Sequence, residues 1–218
     1  LLSDPFGRRS TFVWFYNYIE LFTDPLYLES IFTTFFFSLA VAFVSISLGL
    51  FIATMANRAL KATALVRTLL IWPYAVAPAI SGIMWLFLLH PSYGIVALGI
   101  KSWMGIDWNP VLYGKDAMAM IVMASAWKQV SYNFVFFMAG MQAIPKSLIE
   151  AAAIDGASPF KRFWFIVFPL LSPTFFFLSV MNIIYSFFET FGIIHTVTQG
   201  GPGGSTNILV YKVYQDGF

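Results

Sequence analysis

The chain has 218 residues, 59% of them hydrophobic and only 10% charged. A soluble domain carries about 25% charge, so this composition excludes an ordinary soluble protein and points to an integral membrane one. The net charge of +2 leaves no electrostatic footprint for nucleic acid, and the absence of cysteine excludes disulfides, thiol nucleophiles and thiolate metal sites.

A helix needs about 20 apolar residues to cross the hydrocarbon core, and four segments meet that length in chain order. The first covers residues 31–55 and carries no charge. The second covers 68–89 and contains Pro73 and Pro78. The third covers 117–142 and includes Lys128. The fourth covers 163–194 and carries Pro169, Pro173 and Glu189. None alternates in polarity as a barrel strand does, so the expected fold is an all-α membrane protein with four visible transmembrane helices facing membrane lipid. Residues 1–30 read as an external segment, and 31–218 as the transmembrane core. The chain begins at Leu1 without a basic-then-apolar leader and stops at Phe218 in a polar stretch. An internal piece of a longer protein is expected.

The connections are 57–67, 91–116 and 143–162. Arg58, Lys61 and Arg67 crowd the first; Lys146, Lys161 and Arg162 occupy the third. Placing both inside puts six Lys/Arg in short inner loops, against Arg8, Arg9, Lys101, Lys115 and Lys212 outside. Tyr93, Trp103, Trp108 and Tyr113 lie in the second connection, where 95–104 is expected to form a short interfacial helix. His90 and His195 lie far apart near span ends and share no metal-ligand spacing. No metal site is expected. Gly200-Gly201-Pro202-Gly203-Gly204 lacks the Lys-Ser/Thr of a phosphate loop and reads as an external turn.

The third connection is the most specific segment. Pro145 can open a helix, and helix formers follow through Asp155, with three consecutive alanines. Gly156 supplies a left-handed stop, and Ser158-Pro159 is an N-cap followed by a first-turn proline. A sharp helix–turn–helix is expected, with Ala151, Ala152 and Ala153 presenting little bulk to a partner. Asp155 stands at the unfavourable end of its helix dipole and is expected to hydrogen-bond the turn backbone.

Two polar stripes run inside the spans. Ser125, Lys128, Gln129, Tyr132 and Asn133 fall within an arc of about 140° on the third. Ser179, Asn182, Tyr185, Ser186, Glu189 and Thr190 do much the same on the fourth. Ionisable groups in the membrane are costly and usually face a cavity, so both stripes are expected to line one hydrated path. Lys128 either helps an anionic substrate pass, pairs with Glu189, or snorkels to an interface.

The order Glu150-Ala151-Ala152, Asp155-Gly156, then Ile166 and Pro169, resembles the EAA loop of permease subunits of ATP-binding-cassette (ABC) importers; Phe168 stands where that family usually has Leu. PYAVAP (73–78), WKQVSYNF (127–134), QAIP (142–145), GGP (200–202) and YKVY (211–214) extend the resemblance to carbohydrate-type members across nearly the whole chain. The first two blocks with YSFFETF (185–191) and YKVYQDGF (211–218) resemble most the branch importing sn-glycerol-3-phosphate. The resemblance implies a core of six helices, one before Leu1 and one after Phe218. It implies a second homologous permease subunit, a dimer of ATPase subunits and an external substrate-binding protein. It also implies ATP and Mg bound by the ATPase, no cofactor in this chain, and Glu150 to Pro169 as the docking element in the bacterial inner membrane. A neutral sugar or oligosaccharide as cargo, or a secondary transporter, is the alternative. No nucleophile–base arrangement supports an enzyme.

Overall fold

The computed structural model describes residues 2–3, 11–12, 14–58 and 64–217. Arg8, Arg9 and Lys61, on which the charge-topology expectation partly rests, lie outside the described residues. A two-residue antiparallel pair (β1, Leu2–Ser3; β2, Thr11–Phe12) precedes an otherwise helical chain.

Helix α1 (Tyr16–Thr23) leads into α2 (Pro25–Arg58). Asp24 sets the start of α2: its Oδ1 accepts the N–H of Leu26 at 3.0 Å, and Pro25 occupies the first turn. The helix thus begins six residues before the apolar stretch expected at 31, because a cap, rather than hydropathy, starts it. Phe32, Phe35, Phe36, Phe43 and Phe51 stay exposed on its outer side, as suits lipid contact.

The second expected span is broken. Helices α3 (Ala64–Ala75) and α4 (Pro78–Leu88) meet at a bend of 106°. Pro78 has no N–H to continue the ladder and holds Ala77 extended (φ −59°, ψ 142°). Helix α5 (Ile95–Met104) forms where a short helix is expected and ends on Gly105 at φ +66°. Helix α6 (Gly114–Gln142) then runs 29 residues, about 43 Å at the α-helical rise.

After α7 (Lys146–Ile154) and α8 (Pro159–Arg162), residues Phe163–Val167 form a π-helical turn, followed by α9 (Phe168–Leu170). The Phe168 N–H reaches back five residues to the Phe163 carbonyl, next to Pro169, which has no N–H to give. A 65° bend at Leu171 leads into α10 (Ser172–Phe188); α11 (Phe191–Val197) and α12 (Leu209–Gly217) complete the chain. The fourth expected span is therefore a series of pieces.

Among the described residues one helix, Pro25–Asn57, is long and apolar enough to cross a membrane, and the number rises to three if each bent pair is one span. The expected count of four is not reached. Helix α6 has the length, but Ser125, Lys128, Gln129, Ser131 and Asn133 dilute its hydropathy.

Helices α2 and α6 run parallel: Phe32 lies near Lys115 at one end, and Asn57 near Met141 at the other. Gly49 permits the approach, since a Cβ there would lie 2.6 Å from the Asn133 Cβ. Among the described residues two apolar cores fill the bundle. One gathers Ile46, Ala53, Phe137, Met141 and Leu178; the other gathers Phe37, Val41, Ile121, Ile193 and Ile208. Overpacking a close helix contact costs about 1–3 kcal/mol. Gly49→Val is expected to lower the thermal unfolding midpoint of the purified protein, and an unchanged midpoint would show that α2 and α6 part freely.

Candidate functional site

The connection after α6 folds as a hook. Three alanines favour helix up to Ile154, and Gly156 then takes φ +81°. The Ala157 N–H bonds the Ala152 carbonyl at 2.9 Å and the Gly156 N–H bonds that of Ala153 at 3.1 Å, a Schellman closure. Ser158 restarts the chain: its Oγ accepts the Lys161 N–H, with Pro159 in the first turn. Ile149, Phe163 and Val167 anchor the hook on the first apolar core. Glu150, Ala151, Asp155, Gly156 and Pro169 are exposed, while Ala152 and Ile166 are half-buried. Among the described residues the Asp155 carboxylate makes no hydrogen bond to the turn; backbone bonds alone close it.

The most exposed apolar side chain of the hook is Ile154, at 87%, with Phe160 at 72% beside the turn. Neither belongs to the expected docking set, although an isoleucine directly after three alanines in a polar loop is a usable signal. A cavity of about 240 Å³ separates the hook from the ends of α2 and α6, lined by Thr54, Asn57, Met141 and Arg162 among others. The Arg162 Nε is buried there without a partner among the described residues.

The second candidate region lies midway along the bundle. Lys128, 5% exposed, donates from Nζ to the carbonyls of Val76 and Tyr74, the latter at 3.5 Å. These carbonyls lie at the α3–α4 break, where the last turn of a helix leaves acceptors unfilled. No ion pair joins Lys128 to Glu189 among the described residues. Next to Lys128, a cavity of about 50 Å³ is lined by Gln129, Tyr132, Tyr185 and Glu189, together with Tyr74, which lies outside both polar stripes. The Pro73–Pro78 spacing was the signal for Tyr74, because a break there turns backbone and side chain inward. The rings of Tyr74 and Tyr132 stand 5.5 Å apart. Gln129 Oε1 and Tyr185 Oη are buried without hydrogen-bond partners among the described residues.

The remaining stripe residues sit elsewhere. Asn133 and Asn182 bond each other reciprocally, at 2.8 and 3.3 Å, and Ser45 Oγ donates to Asn182 Oδ1 at 2.8 Å. Ser186 bonds the Asn182 carbonyl, and Ser125 Oγ is buried without a partner among the described residues. These four stripe residues are fully buried in helix seams. Of the histidines, His90 stacks on Tyr93 and His195 on Phe191. A buried amide left unsatisfied costs about 1–3 kcal/mol. Asn182→Leu is therefore expected to destabilise the purified protein by about that amount, with partial recovery in the Asn133→Leu/Asn182→Leu double variant. Full additivity of the two losses would show that the pair does not act as a unit.

The profile of the family described as binding-protein-dependent transport system inner membrane component matches residues 32–216. The sn-glycerol-3-phosphate transport system permease protein UgpA of Brucella abortus biovar 1 (strain 9-941) is 55% identical over 216 residues, covering 99% of this chain and 73% of its own length. UgpA of Yersinia pestis is 49% identical over 215 residues, covering 99% of this chain and 72% of its own length. Among solved structures, a bacterial ABC transporter involved in importing the acidic polysaccharide alginate superposes with a TM-score of 0.80 at 20% identity, covering 95% of this chain and 73% of that one. That likeness speaks for the fold.

Proposed function

The chain belongs to the family of inner membrane components of binding-protein-dependent transport systems, is a permease subunit of an ABC importer, and from that premise we propose that its cargo is sn-glycerol-3-phosphate. The observation that carries the cargo is the 55% identity over 99% of the chain to a permease bearing that role in its name. In this reading the chain crosses the membrane several times, with α6 and the two bent helix pairs spanning it beside α2. It works with a second permease subunit, two ATPase subunits and an external binding protein. ATP and Mg are held by the ATPase, so this chain supplies motion and selectivity.

The hook couples the two halves of the machine. Ala151 and Ala152 let the ATPase surface approach closely, Glu150 offers an ionic contact, and Ile154 offers an apolar anchor of the kind that dominates interfaces. Gly156 closes the turn, the exposed Asp155 carboxylate is free to meet the ATPase, and Ile166 and Pro169 join the hook to α10. ATP binding closes the ATPases and favours the outward state; hydrolysis restores the inward one. The work comes from the different affinity of ATP for the two states.

Cargo passes beside the cluster around the small cavity between α6 and α10. Gln129 and Tyr185 carry unfilled hydrogen-bonding capacity there, which suits a polyol phosphate. Lys128 has three N–H donors; two engage the break, and its charge favours an anion.

The test is reconstitution with the cognate ATPase, second permease and binding protein in proteoliposomes. Uptake of labelled sn-glycerol-3-phosphate is expected to need ATP and to survive collapse of ion gradients. Uptake driven by an ion gradient without ATP would overturn the reading. Uptake of a neutral sugar that sn-glycerol-3-phosphate does not displace would change the cargo alone.

A further inference from the structure

An open groove of about 880 Å³ runs down the flank between α2 and α6. It lies at the Gly114 end of α6, and the hook follows the opposite end. Its walls keep helical spacing: Phe32, Phe36 and Ala40 recur every four residues on α2, and Met118 and Val122 do so on α6. From Phe32 to Ala40 this trough extends about 12 Å.

The mouth of the groove differs in chemistry. Lys115 and Ser205 stand there, in the first turn of α6 and in the turn before α12. Lys115 is exposed and has no ion pair among the described residues. Its neighbour Asp116 is engaged elsewhere, accepting the Asn109 N–H on Oδ2 at 2.8 Å. The Ser205 Oγ is buried without a hydrogen-bond partner among the described residues. It is held close over Gly114, where an added Cβ would come within 2.6 Å of it. A bare cation and an unfilled hydroxyl therefore head an apolar trough.

We propose that this groove binds an anionic phospholipid, with its phosphate on Lys115 and Ser205 and an acyl chain along Phe32, Phe36 and Val122. Helix α6 is about 43 Å long, close to the thickness of a bilayer including its headgroups. Its first turn therefore lies at headgroup level when its last reaches the opposite face. A helix from another chain would cover the apolar walls equally well but would have no use for the charged mouth. The inference rests on the membrane placement of the family and is independent of the cargo.

The assembled transporter, purified in detergent, is titrated with phosphatidylglycerol or phosphatidylcholine and read by native mass spectrometry. Retention of phosphatidylglycerol is expected to exceed that of phosphatidylcholine by about fivefold, the effect of one lysine at a lipid headgroup. Lys115→Gln should abolish the preference, and Ser205→Ala should reduce it. Ala40→Trp, which fills the trough, should weaken both lipids alike. Equal retention of the two lipids by the unaltered protein, or a preference that survives Lys115→Gln, overturns the proposal. So does competition by millimolar inorganic phosphate alone, which would mark a free-anion site. A photoreactive side chain placed at Ala40 should label lipid; labelling of a protein segment instead also overturns it.

Discussion

Gly156→Val is expected to abolish ATP-driven uptake while leaving the helix bundle assembled. Gly156 holds φ +81°, and nothing lies within 4 Å of where its Cβ would be. Side-chain bulk is therefore harmless there, and the whole effect comes from the backbone. An L-residue in the left-handed region costs about 1–2 kcal/mol, and β-branching adds to that. The chain can relieve the strain by releasing the two Schellman hydrogen bonds to Ala152 and Ala153. The hook then opens, and Ile154 and Glu150 lose their fixed position. Uptake in proteoliposomes should vanish, while ATP hydrolysis should lose its response to loaded binding protein. Gly156→Asn separates strain from shape, because asparagine tolerates the left-handed region and fits the same open space. It should keep most of the uptake. Full stimulation of hydrolysis in Gly156→Val, with normal uptake, would remove the hook from the coupling path.

The second large effect is expected from Lys128→Met. Methionine replaces the apolar stem of the side chain but lacks the ammonium and cannot donate, so the Tyr74 and Val76 carbonyls at the α3–α4 break lose their partner. Leaving buried acceptors unfilled costs about 1–3 kcal/mol, and the break should loosen. If the charge also attracts an anionic cargo, the concentration for half-maximal uptake should rise about tenfold, equivalent to about 1.4 kcal/mol. The two roles separate in the readout. Loss of thermal stability with an unchanged half-saturating concentration leaves Lys128 as a positioning residue alone. An unchanged concentration and unchanged stability would exclude both roles.

Local chemistry made the hook legible in the sequence. Pro145, the alanines, Gly156 and Ser158-Pro159 are all short-range signals, and each acts on its own few residues. The helix at Ile95–Met104 was legible for the same reason. Hydropathy located apolar stretches but did not mark where helices bend. It ran straight through Ala77 and Leu171, where proline geometry interrupts the ladder. It also overlooked Asp24-Pro25 as a helix start, because those residues lie outside the apolar run.

Pairings between helices were harder to see. The stripe on α6 was readable as polar, but not the fact that Asn133 meets Asn182 while Gln129 faces a cavity. That division depends on how α10 is rotated against α6, which no single helix encodes. The partner of Lys128 was beyond reach for another reason: it is a main-chain carbonyl about 50 residues away, exposed only because the intervening helix is broken. An acidic partner such as Glu189 is the kind of residue sequence reasoning finds, and the backbone is invisible to it.

The interlocked amides of Asn133 and Asn182, with Ser45, have a mechanical consequence. They sit between two greasy cores that would slide past one another with little resistance. A shift of α10 by a single turn would strand three polar groups at once, so the pin fixes the register of α2, α6 and α10 and makes them one stiff block. If the hook receives a push, as the proposed coupling requires, slippage inside that block would not absorb it. It would fall on the bends at Ala77 and Leu171, the elbows of a linkage whose bars do not stretch.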